Sequence, residues 1–231
     1  RRESGLNVLT LSAFHLGSKV VLLRNFDPVQ VLSDIERYSV THMFGAPAMF
    51  LFMSQQDSFA GTDLSSVKQF VCGAAPVPVS LIELYGERGV DFCQGYGLTE
   101  TAPMSSFLTP EFALTKIGSA GQPPIFSDTQ IVNDDNEPVA PGERGEICIR
   151  GHNIMKGYLN RPDANAETLK NGWFHSGDIG YRDEDGCYFI VDRKKDMILR
   201  GGFNVYPREV EEVLYEHEDV VEAAVIGVPH E

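Results

Sequence analysis

Residues 67–101 read VKQFVCGAAPVPVSLIELYGERGVDFCQGYGLTET, and this stretch decides the fold. Val67–Cys72 is a short run rich in β-branched and aromatic residues that breaks on Gly73-Ala-Ala-Pro76. Val77–Arg88 carries its apolar residues at helical spacing. Val90–Cys93 is a second short apolar run, ending in Gln94-Gly-Tyr-Gly-Leu-Thr-Glu100. Strand, helix, strand at this spacing predicts parallel strands joined by a helical crossover.

The pattern extends upstream. Lys19–Leu23 reads as a strand and Pro28–Tyr38 as a helix, with Asp27 as N-cap, Pro28 at its first position and Val31, Leu32 and Ile35 on one face. Val40–Phe44 reads as a strand and Pro47–Met53 as a helix. His15 is expected to be a structural residue in a helix. Past about Phe112 the character changes to antiparallel. Thr129–Asn133 and Gly145–Arg150 read as strands, and Tyr181 and Tyr188–Val191 flank Arg182-Asp-Glu-Asp-Gly186, a hairpin turn. A basic link, Arg193-Lys-Lys195, leads to a helix over Pro207–His217 with Val210, Val213 and Leu214 facing inward. A strand over Val220–Val228 follows. The expected class is α/β: a parallel α/β part over 1–112, then a small antiparallel sheet or barrel over 113–192.

With 231 residues and 42% hydrophobic content, the chain is long enough for a substantial core. Lys+Arg number 19 against Asp+Glu 33, a net charge of −14 that argues against a broad nucleic-acid or anionic-membrane surface. The apolar stretch Leu6–Leu23 is interrupted by Thr10, Ser12, His15, Ser18 and Lys19, so no integral membrane segment is expected. Cys72, Cys93, Cys148 and Cys187 form no CxxC, which predicts buried thiols in a reduced, cytoplasmic setting. Both ends read as cut edges: Arg1-Arg-Glu-Ser4 runs straight into an apolar segment, and Pro229-His-Glu231 stops after a predicted strand.

Two glycine turns thus follow two successive parallel strands, where ligands collect in such sheets. Glycine lets backbone approach a ring or phosphate closely, and Tyr96 offers an aromatic face. Thr99 offers a hydroxyl, and Glu100 a hard oxygen suited to Mg²⁺. The simpler alternative is that Gly95 and Gly97 only make a turn and Glu100 caps a helix. Asp178 sits between Gly177 and Gly180, a setting that suits a carboxylate accepting from a ribose diol but is also that of an ordinary turn aspartate. Arg193 could donate to ribose or phosphate oxygens, or form a surface ion pair. No GxxxxGK[ST], GxGxxG or GxSxG motif is present.

Five ordered motifs carry a resemblance: Gln94–Thr101 (QGYGLTET), Gly142–Gly151 (GERGEICIRG), Tyr158–Pro162 (YLNRP), Gly172–Gly180 (GWFHSGDIG) and Asp192–Glu211 (DRKKDMILRGGFNVYPREVE). From Gly5 to Glu231 the chain resembles the adenylate-forming, AMP-binding superfamily, and within it the acyl-CoA synthetases, fatty-acyl-CoA ligases in particular. The resemblance implies attack of a carboxylate on the α-phosphate of MgATP, giving an acyl-adenylate, followed by displacement of AMP by coenzyme A. It assigns Gly73, Ala74 and Ala75 to the adenine, with Tyr96 stacked on it between Gly95 and Gly97. Thr99 is assigned to phosphate, Glu100 to Mg²⁺, and Asp178 and Arg193 to ribose. Lys195 falls at the hinge, 193–195, of a C-terminal α+β lid, of which 196–231 is expected to be the truncated start. Gly201, Gly202 and Phe203 match the loop of thioester formation, and His42, Gly45, Pro47, Met104 and Ser105 fall where the acyl pocket is shaped.

In the family, a phosphate-binding loop precedes the residue matching Gly5, and a catalytic lysine follows the one matching Glu231. The chain alone is therefore expected not to adenylate efficiently, whereas an intact parent should. Peptide-synthetase adenylation domains usually carry Pro in place of Leu98, but aryl and coumarate-type CoA ligases share the motifs. A non-catalytic AMP-binding module or inactive paralogue, and a scaffold protein, remain the readings of a different class. Acyl chain length and oligomeric state are not legible.

Overall fold

The helix over Pro28–Tyr38 shows how local chemistry sets an element. Asp27 Oδ1 accepts the Gln30 N–H at 3.0 Å, Pro28 opens the first turn, and Ser39 ends the helix in the left-handed region at φ 51°. Val31, Leu32 and Ile35 on its inner face are buried as the pattern requires. The structure, a computed structural model, describes residues 6–73, 77–200, 203–215, 217, 220 and 223–228. They form two compact units, one of residues 1–127 with 152–155, the other of 128–151 with 156–231.

In the first unit a π-helical turn (Leu6–Thr10) leads into α1 (Leu11–His15), which leaves His15 exposed. Then follow α2 (Pro28–Tyr38), β1 (His42–Gly45), α3 (Pro47–Ser54), β2 (Gln69–Gly73), α4 (Val79–Glu87), β3 (Asp91–Tyr96), β4 (Ser106–Phe107) and α5 (Pro110–Ala113). The strands lie in the order β1-β2-β3-β4; the first three are parallel and β4 is antiparallel to β3. The core is aromatic. Phe50 stands 5.1 Å from Phe70, 5.9 Å from Tyr85 and 4.9 Å from Phe92, ring centre to ring centre. Tyr85 Oη, the one polar atom of this cluster, donates to the Phe50 carbonyl at 2.8 Å.

Lys19–Leu23, expected as a strand, has no regular structure. A strand exists by pairing its backbone groups, and β1 is paired only with β2 among the described residues. The segment instead lines an apolar cleft of about 690 Å³ with Leu9, Leu16, Phe26, Ile35 and Met43.

The second unit contains β5 (from Ser127 in the first unit to Val132), β6 (Gly145–Gly151), α6 (Pro162–Thr168), β7 (Leu169–Lys170), β8 (Trp173–Arg182) and β9 (Tyr188–Arg193). The sheet order is β5-β6-β8-β7, with β9 also on β8. The predicted hairpin joins β8 and β9: Asp183 Oδ1 accepts from the N–H groups of Asp185 and Cys187, and Gly186 takes φ 80°. A separate two-stranded sheet pairs β10 (Ile198–Arg200) with β11 (Phe203–Val205), and α7 (Pro207–Tyr215) follows.

Two expectations fail here. Val210, Val213 and Leu214 are exposed, at 39, 65 and 42%. An amphipathic face needs a partner, and none of the described residues buries this one. The strand expected over Val220–Val228 is not formed in its described part, 220 and 223–228. Two points of its backbone are held by side chains instead: Val225 N–H donates to Glu211 Oε1 at 2.8 Å, and Tyr215 Oη donates to the Ala223 carbonyl at 3.1 Å. No described helix is long and apolar enough to cross a membrane.

Candidate functional site

Because β1, β2 and β3 are parallel, their carboxyl ends share one edge of the sheet. The register sets Gly45 beside Cys72 and Gly73 beside Gly95, so three glycines run across that edge. A Cβ on Gly73 would come to 2.9 Å from the Gly95 carbonyl oxygen, and one on Gly95 to 2.6 Å from the Met104 methyl. At Gly97 a Cβ would overlap the Pro103 carbonyl oxygen at 1.6 Å. The room at Gly97 is thus taken by the chain's own return path, a structural need for glycine alongside any ligand it admits.

That return path is the loop 97–105. Tyr96 closes β3 opposite Ser106, and Thr99–Thr101 makes a single 3₁₀ turn carrying Thr99 exposed and Glu100 half-buried. Thr101 Oγ1, fully buried, accepts the Leu98 N–H at 2.9 Å and lies 3.0 and 2.9 Å from the Leu98 and Pro103 carbonyls. Asn153 fastens the loop from outside it. Its Nδ2 donates to the carbonyls of Thr101 and Met104 at 2.9 and 3.0 Å, while Met155 N–H donates to the Glu100 carbonyl at 2.8 Å. Sequence reasoning missed Asn153. An asparagine in a turn after a strand is commonplace, and only the tertiary partner reveals its work.

The second unit presents Asp178 by a bulge. In the β6–β8 ladder Cys148 pairs with His175 and Glu146 with Ile179, so Ser176, Gly177 and Asp178 stand opposite Ile147 alone. Gly177 takes φ 74°, which lets the bulge turn, and the Asp178 N–H donates to Ser176 Oγ, itself bound to the Ile147 carbonyl at 2.7 Å. Asp178 is 8% exposed, and its Oδ1 faces Arg193 Nε at 3.8 Å across the β8–β9 pair. At that distance the contact is an ion pair without a hydrogen bond.

The remaining expected positions are placed as follows. His42 starts β1, exposed, with Nδ1 2.9 Å from Thr41 Oγ1, and lines the apolar cleft; Gly45 ends that strand and Pro47 opens α3. Met104 covers Gly95, and Ser105 is fully buried with an Oγ that lacks a hydrogen-bond partner among the described residues. Lys195 lies exposed in the turn between β9 and β10, and Phe203 opens β11 at 77% exposure. Ala74, Ala75, Gly201 and Gly202 fall outside the described residues. No three His, Cys, Asp or Glu side chains converge as a metal site among the described residues. Glu100 offers a single hard oxygen group, which suits Mg²⁺, an ion that keeps waters and phosphate oxygens around one or two carboxylates.

Cys148, His175 and Glu146 resemble a nucleophile–base–carboxylate set but cannot act as one. The same ring nitrogen, His175 Nδ1, faces both Cys148 Sγ and Glu146 Oε2 at 3.4 Å, whereas a relay needs the two nitrogens to face different groups. Burial pushes the Cys148 thiol up to about 12, as it does Cys72, and Cys93 to about 11. All four cysteines are free and buried. An alkylating reagent at pH 7.5 is expected to label them on the order of a hundredfold more slowly than after unfolding. Rapid native labelling in a mass-spectrometric time course would contradict that environment.

A mixed α/β chain with this parallel sheet and these antiparallel sheets has the architecture of the N-terminal domain of adenylate-forming enzymes. The o-succinylbenzoate CoA synthetase of Bacillus subtilis, solved with the acyl-adenylate intermediate OSB-AMP, superposes with a TM-score of 0.90 at 37% identity, over 99% of this chain and 46% of that one. The same enzyme has been solved with ATP and a magnesium ion. The chain belongs to the AMP-binding enzyme family, whose model matches residues 4–159. A feruloyl-CoA synthase of Amycolatopsis sp is 47% identical over 98% of this chain and 46% of its own length. A long-chain-fatty-acid–CoA ligase of Bacillus subtilis is 40% identical over 97% of this chain and 40% of its own. The chain therefore spans somewhat under half the length of these relatives, which include both aryl- and alkyl-acid ligases.

Proposed function

We propose that the chain is the adenylate-holding part of an ATP-dependent acid–thiol ligase. In the reaction a carboxylate oxygen attacks the α-phosphorus of ATP, the bond to the β-phosphate oxygen breaks, and pyrophosphate leaves. The coenzyme A sulfur then attacks the acyl carbon, loses its proton, and AMP departs with the former carboxylate oxygen. Tyr96 stacks on adenine, with Gly73, Ala74, Ala75, Gly95 and Gly97 around it. Thr99 donates to phosphate, and Glu100 ligates the Mg²⁺ that arrives with ATP. Asp178 accepts from the ribose hydroxyls, and Arg193 beside it donates to ribose or phosphate oxygens. His42, Gly45, Pro47, Met104 and Ser105 border the acid. Lys195 is the pivot of a lid starting at 196, and Gly201, Gly202 and Phe203 serve the thioester step. The functional parts run 1–112, 113–192, 193–195 and 196–231.

The observation that carries this reading is the Ser176–Asp178 bulge, which holds a buried carboxylate against Arg193. The bulge sets an acidic and a basic side chain next to each other, a pairing of acceptor and donor that suits a ribose and its phosphate. A fatty acid is the proposed substrate; an aryl acid is the second reading, favoured by the identity to feruloyl-CoA synthase. Calorimetry with AMP and with acyl-sulfamoyl adenosines bearing a long alkyl chain or a feruloyl group tests both. We expect AMP to bind, one analogue to bind tighter, and no carboxylate-dependent pyrophosphate release from the chain alone. Folded protein that binds none of the three would overturn the reading.

A further inference from the structure

Glu146 lies in β6 beside the bulge, and each of its oxygens has a separate task. Oε1 accepts the Gly177 N–H at 3.0 Å, the middle of the Ser176–Asp178 turn. Oε2 stands 3.5 Å from Lys194 Nζ and 3.4 Å from His175 Nδ1. The carboxylate is 13% exposed, so its charge is shielded from water and its partners matter. Lys194 is held at two further points: its Nζ donates to Asp134 Oδ1 at 3.1 Å, and its backbone N–H donates to the Gly177 carbonyl at 2.8 Å. Partial burial works against the lysine charge, but the Asp134 hydrogen bond and the Glu146 carboxylate more than offset it. Gly177 is thus held at its N–H by the Glu146 carboxylate and at its C=O by the Lys194 backbone N–H.

We propose that Glu146 is a positioning residue that ties the Asp178 turn to the 193–195 link through Lys194. One oxygen sets the turn that presents Asp178, the other faces the link that carries Arg193, and the Asp178–Arg193 pair, opposed by the β8–β9 register, is held from both sides by a single carboxylate. Movement of the link requires Lys194 to leave Glu146 and Asp134, so the same contacts act as its latch. That the turn is a ribose site and the link a pivot rests on the function proposed above; the mechanical coupling does not.

The two oxygens can be separated by substitution. Glu146→Gln keeps a carbonyl for the Gly177 N–H but removes the charge facing Lys194, whereas Glu146→Ala removes both. The link contains three trypsin sites, Arg193, Lys194 and Lys195, whose cleavage is read by mass spectrometry. In Glu146→Gln we expect cleavage there to accelerate about threefold, with AMP affinity within about twofold of the parent. In Glu146→Ala we expect the faster cleavage together with about a tenfold loss of AMP affinity. Asp134→Asn, on the exposed side of Lys194, should reproduce the first pattern without disturbing His175. A role in stability alone would shift melting, cleavage and affinity together in both Glu146 variants, and that result overturns the proposal, as does cleavage at the parental rate in Glu146→Ala. If the parent binds no AMP while the cleavage pattern holds, the proposed function fails and the coupling stands.

Discussion

Phe50→Ala is expected to lower the stability of the chain by about 3–5 kcal/mol, the range for removing a fully buried aromatic ring. For a protein of this length, that corresponds to a fall in melting temperature on the order of 10 °C. The size follows from position. Phe50 is fully buried and touches rings from both neighbouring strands and the following helix, namely Phe70, Phe92 and Tyr85. It also fills the space beside Gly45, where an added Cβ would lie 2.9 Å from the ring. Truncation therefore opens a cavity beneath the carboxyl edge of the parallel sheet, and the three remaining rings cannot close it without leaving their rotamers. Circular dichroism against temperature and urea measures the effect. A shift under about 3 °C would mean that the aromatic cluster can collapse, contrary to its close packing.

Asp178→Ala is expected to cost little stability and much nucleotide affinity. Its partner Arg193 is 62% exposed, so the guanidinium left behind stays in water, and an ion pair of that kind contributes no more than about 1 kcal/mol. A charged acceptor lost from a ribose diol costs more, about 1.5–3 kcal/mol, or roughly a 10- to 100-fold weaker binding of AMP. Asp178→Asn should fall between, since it keeps one acceptor oxygen. Titration calorimetry alongside thermal melting separates the two effects. Equal AMP binding by the parent and Asp178→Ala would remove Asp178 from the nucleotide site.

The sequence was most legible where one local signal suffices. Asp27, Pro28 and the apolar face of α2 specified a helix whose ends match the expected 28–38, and Gly186 marked the β8–β9 turn. The parallel order of β1, β2 and β3 followed from crossover spacing. Lys19–Leu23 was misread because β propensity describes a residue's fit to a sheet, and pairing decides whether a sheet is there. Val210, Val213 and Leu214 were misread for the same reason, an apolar stripe being a demand for a partner. Tyr96, Thr99, Glu100, Asp178 and Arg193 could be named from the sequence as candidates, but the local structure that carries each could not. The bulge at Ser176–Asp178 is a disagreement of register between two strands, and neither strand alone contains it. Asn153 and Glu146 act across long sequence separations on backbone groups, where their own types carry no signal.

The sheet order leaves one side of β1 without a strand among the described residues, at the same margin where Lys19–Leu23 stays unpaired. A strand edge of that kind is a template on which an extended segment, including that of another copy, could add a strand. The opposing term is the net charge of −14, which keeps copies apart in dilute buffer. Added salt shortens that repulsion to within about 10 Å at 0.1 M and leaves backbone pairing almost untouched. Pairing of two copies through this edge is therefore expected to rise with ionic strength as well as with concentration, which sedimentation at low and high salt measures.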